Sequence, residues 1–139
     1  MDVVWDVKLF RRHRDDDPAE RCPAEEFLAE CPPVVAAELL AIVDDVASAP
    51  PPRYSGSLRW QAMHGDMGGF YEARTRGPGK RLYRLFCILE RSAPGLAGPT
   101  IAVITGMWKP NASAFSEADY ARVRRLGDEY RRQSPRNVT

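Results

Sequence analysis

The side chains in this sequence best suited to chemistry are arginines placed at alternate positions of two consecutive strand-like segments. In GGFYEARTR (68–76), a period of two sets Phe70, Glu72, Arg74 and Arg76 on one side and Tyr71, Ala73 and Thr75 on the other. In LYRLFCILE (82–90), Leu82, Arg84, Phe86 and Ile88 oppose Tyr83, Leu85, Cys87 and Leu89. The turn Gly77-Pro78-Gly79-Lys80 joins the segments as a hairpin, so Arg74 and Arg84 can converge on one surface. Lys109 leaves the end of the next apolar segment, TIAVITGMW (100–108). Such a cluster can hold a phosphate through forked hydrogen bonds and stabilise charge as a bond breaks. The alternative is a structural ion pair, because a buried arginine is costly without a partner and Glu72 lies on the same strand face as Arg74. Spacing alone leaves both open.

Other reactive residues are sparse. His13 and His64 fall in different segments, and neither neighbours a Ser or Cys nucleophile in sequence. His64, in WQAMHGDMGG, reads most simply as a loop histidine, although its side chain is the one near the hairpin whose ordinary pKa suits proton transfer near neutrality. Cys22, Cys31 and Cys87 form no close pair and have no histidine at metal-ligand spacing, which argues against a disulfide framework or zinc site and for a reducing compartment. Cys87, inside an apolar strand, reads as core. P-loop, dinucleotide, zinc-helix and nucleophile-elbow motifs are absent. No cofactor is expected.

The elements that must position these residues are legible from periodicity. VVWDVKLF (3–10) alternates Val3, Trp5, Val7 and Leu9, a strand with one buried face, and RRHRDDDP (11–18) follows as a solvated loop. Pro23 opens a short helix, with Glu25 and Glu26 near the positive end of its dipole. A second helix begins after Pro32-Pro33, and Val35, Leu39, Ile42 and Val46 form its apolar stripe. APPPRYSGS (49–57) breaks the chain before the hairpin. Ser116 starts the last helix, with Asp119 completing a capping box. Tyr120, Val123, Leu126 or Gly127, and Tyr130 form the buried stripe of that helix, leaving Arg122, Arg124, Arg125, Arg131 and Arg132 mostly outside. The expected fold is α+β in the order β-α-α-β-β-β-α: a small, largely antiparallel sheet, an N-terminal helical hairpin and a C-terminal helix. Residues 1–139 form one domain, with a tail that frays after about Arg132.

Length and charge fit that plan. A chain of 139 residues, 44% apolar and 28% charged, suits one packed core. No apolar run reaches the roughly 20 residues of a membrane span, and the N-terminus lacks the order of a signal peptide. The formal net charge of +1 hides a polarity: net −7 over residues 1–52, +6 over 53–110 and +2 over 111–139. Arginine supplies 17 of the 20 basic residues. A basic middle and tail suit a phosphate-facing surface, and pairing between the acidic and basic parts within the fold explains the same numbers.

GGFYEARTR, KRLYRLFCIL, TIAVITGMWKP and SEADYARVRRL resemble, in order and spacing, the RelE/ParE toxin superfamily, particularly its HigB-like branch. The resemblance covers about residues 22–132. It implies the toxin of a type II toxin-antitoxin pair, a cytoplasmic, metal-independent mRNA endoribonuclease (mRNA interferase) acting on ribosome-bound mRNA. In such enzymes the ribose 2′-hydroxyl attacks the scissile phosphate and leaves a 2′,3′-cyclic phosphate. Arg74, Arg84 and Lys109 match the basic positions of the pattern, Arg76, Lys80 and Arg81 are candidates for RNA binding, and His64 is the reserve acid or base. The implied partner is an antitoxin, of helix-turn-helix type, encoded by the adjacent gene. Two departures stand out. Relatives often carry two cations after the last strand, where this chain has Trp108-Lys109-Pro110-Asn111, and Tyr120, which matches a functional tyrosine of some relatives, also fits the core stripe. A ParE-like gyrase inhibitor without nuclease activity, or an inactive RNA-binding relative, is the alternative.

Overall fold

A computed structural model describes residues 4–49, 58–110 and 114–139. Val3, most of the Pro-rich break (50–57) and Asn111 lie outside the described residues. The chain builds an α+β fold from five strands and three helices: β1 (Asp6–Leu9), α1 (Pro23–Glu30), α2 (Pro33–Ser48), β2 (Trp60–Ala62), β3 (Phe70–Arg76), β4 (Leu82–Glu90), β5 (Thr100–Lys109) and α3 (Glu117–Arg132). The strands form one mixed sheet in the order β1-β5-β4-β3-β2, with β1 parallel to β5 and the other pairs antiparallel. The expected order lacks β2. That strand has only three residues, too few to show a period, and is recruited by pairing Trp60 with Ala73 and stacking its indole on Tyr71 at 5.5 Å.

The sheet separates two apolar cores, as the alternation in β3 and β4 requires. On one face Val35, Leu39, Ile42 and Val46 of α2 and Phe27 of α1 pack on Ala73, Tyr83, Leu85, Cys87, Ile101 and Val103. On the other, Val123, Leu126 and Tyr130 of α3 pack on Phe70, Phe86, Ile88, Ala102 and Ile104. Tyr120 belongs to this second core, edge-on to Phe86 at 6.3 Å. Both helical layers approach the strands closely. A Cβ on Gly106 would lie 2.2 Å from Phe27 Cδ2, and one on Gly127 would lie 2.5 Å from Phe70 Cζ. The expected capping box is present: Asp119 N–H donates to Ser116 Oγ at 3.1 Å, and Ser116 N–H donates to Asp119 Oδ2 at 2.8 Å.

Two expectations are corrected. The loop after β1 is not simply solvated. Asp17 is buried and accepts from the Arg21 and Ala19 N–H groups, and Arg12 Nε donates to the buried Glu129 of α3 at 2.9 Å. Nor does the tail fray. Residues 137–139 run antiparallel to Leu9–Arg11, with Thr139 N–H donating to the Leu9 carbonyl at 2.8 Å. Arg136 forks onto Glu90 through Nε and Nη2 at 3.2 and 3.1 Å, and Tyr130 donates its hydroxyl to the same carboxylate. The tail has no apolar period; backbone pairing with β1 and an ion pair with a carboxylate 46 residues away hold it, and periodicity reveals neither. Among the described residues no helix is long and apolar enough to cross a membrane.

Candidate functional site

The β3–β4 register sets Arg74 directly opposite Arg84, on the face that α3 covers further along. Like charges in that position repel, and the strand face supplies the remedy two residues away. Glu72, 6% exposed, places Oε2 at 3.1 Å from Arg84 Nη1 and Oε1 at 3.7 Å from Arg74 Nη1. Arg74 is held a second time, donating through Nε and Nη2 to the Leu58 carbonyl at 3.0 and 2.6 Å. The Arg84 guanidinium carbon lies 5.0 Å from the centroid of the Phe115 ring, a cation–π contact that fixes its plane. Arg84 Nε and Nη2 make no hydrogen bond among the described residues.

Arg74 and Arg84 open onto a cleft of 570 Å³ that Arg59 and Arg76 also line. Glu38 also reaches the cleft but accepts the Thr75 hydroxyl at 2.6 Å. Among the described residues Glu72 and Glu38 are outnumbered by the four guanidiniums of the cleft, so it keeps a positive field. Such a field suits an anion with planar pairs of oxygens, above all a phosphodiester.

Lys109 occupies the same sheet face. Leu82 pairs with Lys109 and Arg84 with Met107, which makes Arg84 and Lys109 diagonal neighbours, about 7–8 Å apart. Their tips diverge. Lys109 Nζ turns to Asp119 Oδ2 at 3.1 Å and lines a separate groove of 530 Å³ between α1 and α3, beside Arg12, Arg122 and Glu129. The Ser116 N–H and then the Lys109 ammonium hold the Asp119 carboxyl below its ordinary value. Of the remaining cations, Arg76 lines the arginine cleft, Lys80 projects from the exposed β3–β4 turn, and Arg81 lies over the Trp108 ring at 4.5 Å.

His64 is not brought to this cluster. It sits exposed in the β2–β3 connection beyond Phe70, and Arg74 lies four residues further along β3, about 13 Å of strand. In the other direction, periodicity did not point to Arg59 or Phe115. Arg59 precedes the short β2, where its carbonyl accepts from Arg74 N–H at 2.8 Å, and Phe115 precedes the Ser116 cap. Basic residues flanking a pairing partner of Arg74 would have been the signal for Arg59, but that partner was itself unrecognised.

The cysteines offer no activated thiol. Burial pushes Cys31 up to about 11 and raises Cys22 and Cys87 as well. Among the described residues no group of three or more His, Cys, Asp or Glu side chains is placed to hold a metal ion. Comparison with protein-family models, with curated proteins and with solved structures gives no match to this chain.

Proposed function

We propose that this protein is a RelE/ParE-type, HigB-like toxin that cleaves mRNA on the ribosome without a metal. The observation that carries the reading is the apposition of Arg74 and Arg84 over the shared carboxylate of Glu72. In the reaction the ribose 2′-oxygen bonds to the scissile phosphorus and the bond to the 5′-oxygen breaks. The products are a 2′,3′-cyclic phosphate and a 5′-hydroxyl, and the proton lost by the 2′-oxygen is balanced by one gained at the leaving oxygen. Arg84, whose Nε and Nη2 make no hydrogen bond among the described residues and whose guanidinium lies over the Phe115 ring, stabilises the charge that grows on the phosphoryl oxygens. Arg74, clamped by the Leu58 carbonyl, orients the phosphate, and Arg76 and Arg59 attract the flanking backbone. Glu72 holds the two central cations in register and, among the described residues, is the carboxylate in contact with both. His64 takes no part from where it stands. The antitoxin silences the enzyme by covering the cationic cleft.

One observation favours a second reading, a binding inhibitor of gyrase. Lys109 is committed to Asp119 and stands apart from the arginine cleft, which removes one of the three cations that the nuclease pattern requires. Incubating purified protein on a 5′-labelled mRNA, bound to ribosomes in magnesium buffer and free in a chelating buffer, with gyrase supercoiling assayed in a separate magnesium–ATP reaction, separates the two. New fragments ending in cyclic phosphate, lost in Arg84→Ala, support the nuclease. Intact RNA with inhibited gyrase supercoiling supports the inhibitor.

A further inference from the structure

Trp108 stands apart from the other tryptophans. It is 44% exposed at the end of β5, whereas Trp5 and Trp60 are buried. Its indole meets the Arg81 guanidinium, 4.5 Å from the ring centroid, and the buried Tyr83 ring, at 6.4 Å and 32°. Together with Phe27, Cys31, Pro32 and the acidic Glu30 these side chains line a recess of 460 Å³ on the α1 face of the sheet, which shares Tyr83 with the arginine cleft. The register ties the two places together. Trp108 pairs with Tyr83 and Lys109 with Leu82, so Arg84 is the next residue along β4 from the partner of Trp108. A chain crossing this open end of the sheet meets guanidiniums on one face and an aromatic ring with a stacked guanidinium on the other.

A cationic track beside an exposed aromatic ring is the combination that binds single-stranded nucleic acid: phosphates follow the charges and a base stacks on the ring. Arginine planes serve as stacking surfaces too. A protein partner would favour an apolar collar around the tryptophan, but the exposed chain at this end of the hairpin carries Lys80 and Arg81. We propose that Trp108 and Arg81 form a stacking platform for a nucleobase of single-stranded RNA whose phosphates lie in the Arg74–Arg84 cleft. The platform rests on the endoribonuclease reading for its ligand, yet it is tested by binding rather than by cleavage.

The probe is a fluorescein-labelled 2′-O-methyl hexauridylate, which has no free 2′-hydroxyl to attack, compared with an abasic phosphodiester of equal length. Binding is read by anisotropy and by tryptophan quenching. The wild type binds the base-bearing strand more tightly and its emission is quenched. Trp108→Ala weakens that binding about tenfold, the range expected for one stacked base, and leaves the abasic strand unchanged. Trp108→Phe retains most of the affinity, which guards against a folding defect in the alanine variant. Equal affinity of the wild type for the two strands overturns the platform. So does normal RNA binding by Trp108→Ala, including the case in which that variant loses only its antitoxin. If Arg84→Ala abolishes cleavage while Trp108→Ala binds and cuts normally, the platform falls and the nuclease stands. If base-dependent quenching occurs in a protein that cuts no RNA, the nuclease falls and the platform stands.

Discussion

Lys109 and Asp119 meet at a single carboxylate oxygen. Asp119 Oδ2 accepts the Ser116 N–H that caps α3 and also lies 3.1 Å from the Lys109 ammonium, so the last residue of β5 is tied to the first turn of the last helix. The tie orients α3 over the sheet end that carries the arginines. It also gives stability a defined acid limb. The Asp119 carboxyl titrates below its ordinary 3.8, as does Asp17, held down first by the Arg21 N–H. A depressed folded-state pKa contributes stability that is present above 3.8 and lost as pH falls through the lower folded value. Asp119→Asn should therefore cost about 1 kcal/mol at pH 7, the scale of a lost helix cap. Its melting temperature should fall less than that of the wild type between pH 5 and 3, as thermal melts across that range would show.

Glu72 supports the site by holding two like charges side by side. Removing the charge in Glu72→Gln leaves Arg74 opposite Arg84 without a counterion among the described residues. Breaking a fully buried pair costs several kcal/mol. Because both guanidiniums are partly exposed, the expected loss is smaller, about 1–3 kcal/mol after allowing for solvent screening. Chemical denaturation measures it, and a loss that shrinks at high salt identifies repulsion as the cause.

The tail is predicted to be a structural part of the fold. Arg136→Ala removes the fork on Glu90 and leaves that carboxylate, 12% exposed, with Tyr130 as its one partner among the described residues. The cost should be about 3 kcal/mol, accompanied by faster hydrogen exchange at Leu9 and Thr139. The Tyr130 hydroxyl is raised above its ordinary 10 by burial and then by Glu90. A raised folded-state pKa contributes stability that is complete below 10 and lost as pH climbs towards the folded value. Tyr130→Phe should flatten that alkaline limb.

Gly127 sits where α3 touches the sheet. A methyl group there would fall 2.5 Å from Phe70 Cζ, so Gly127→Ala must displace the helix or the ring. Despite the better helix propensity of alanine, a net destabilisation of about 1–3 kcal/mol is expected by calorimetry.

Much of this arrangement was legible in the residues because strong periods force it. The two-residue alternation through Glu72, Arg74, Arg84 and Phe86 determines which side chains share a face, and the tight Gly77–Lys80 turn brings their strands together. Ser116 and Asp119 announce the start of α3 by capping chemistry, which needs only local spacing. What was hidden depends on long-range pairing. β2 is too short to display a period, so Arg59 and the Leu58 carbonyl that clamps Arg74 could not be foreseen. The return of Arg136 to Glu90 is an ion pair between segments with no shared pattern. His64 lies close to the hairpin in sequence, but the antiparallel β2–β3 pairing carries it to the far end of the strand. Lys109 shares the sheet face of the arginines, and its tip is claimed by a helix cap.

The central claim is that the Arg74–Arg84 cleft cuts RNA, and induced expression of the wild type beside Arg84→Ala, with primer extension on cellular mRNA, tests it most directly. The wild type should arrest growth and create new 5′ ends within coding sequences. Arg84→Ala should abolish both, a loss of at least about 100-fold for one removed transition-state donor, while remaining folded by circular dichroism, with Glu72 keeping Arg74 at 3.7 Å as its counterion. Growth arrest with intact transcripts and altered DNA supercoiling, or undiminished cleavage by Arg84→Ala, would contradict it.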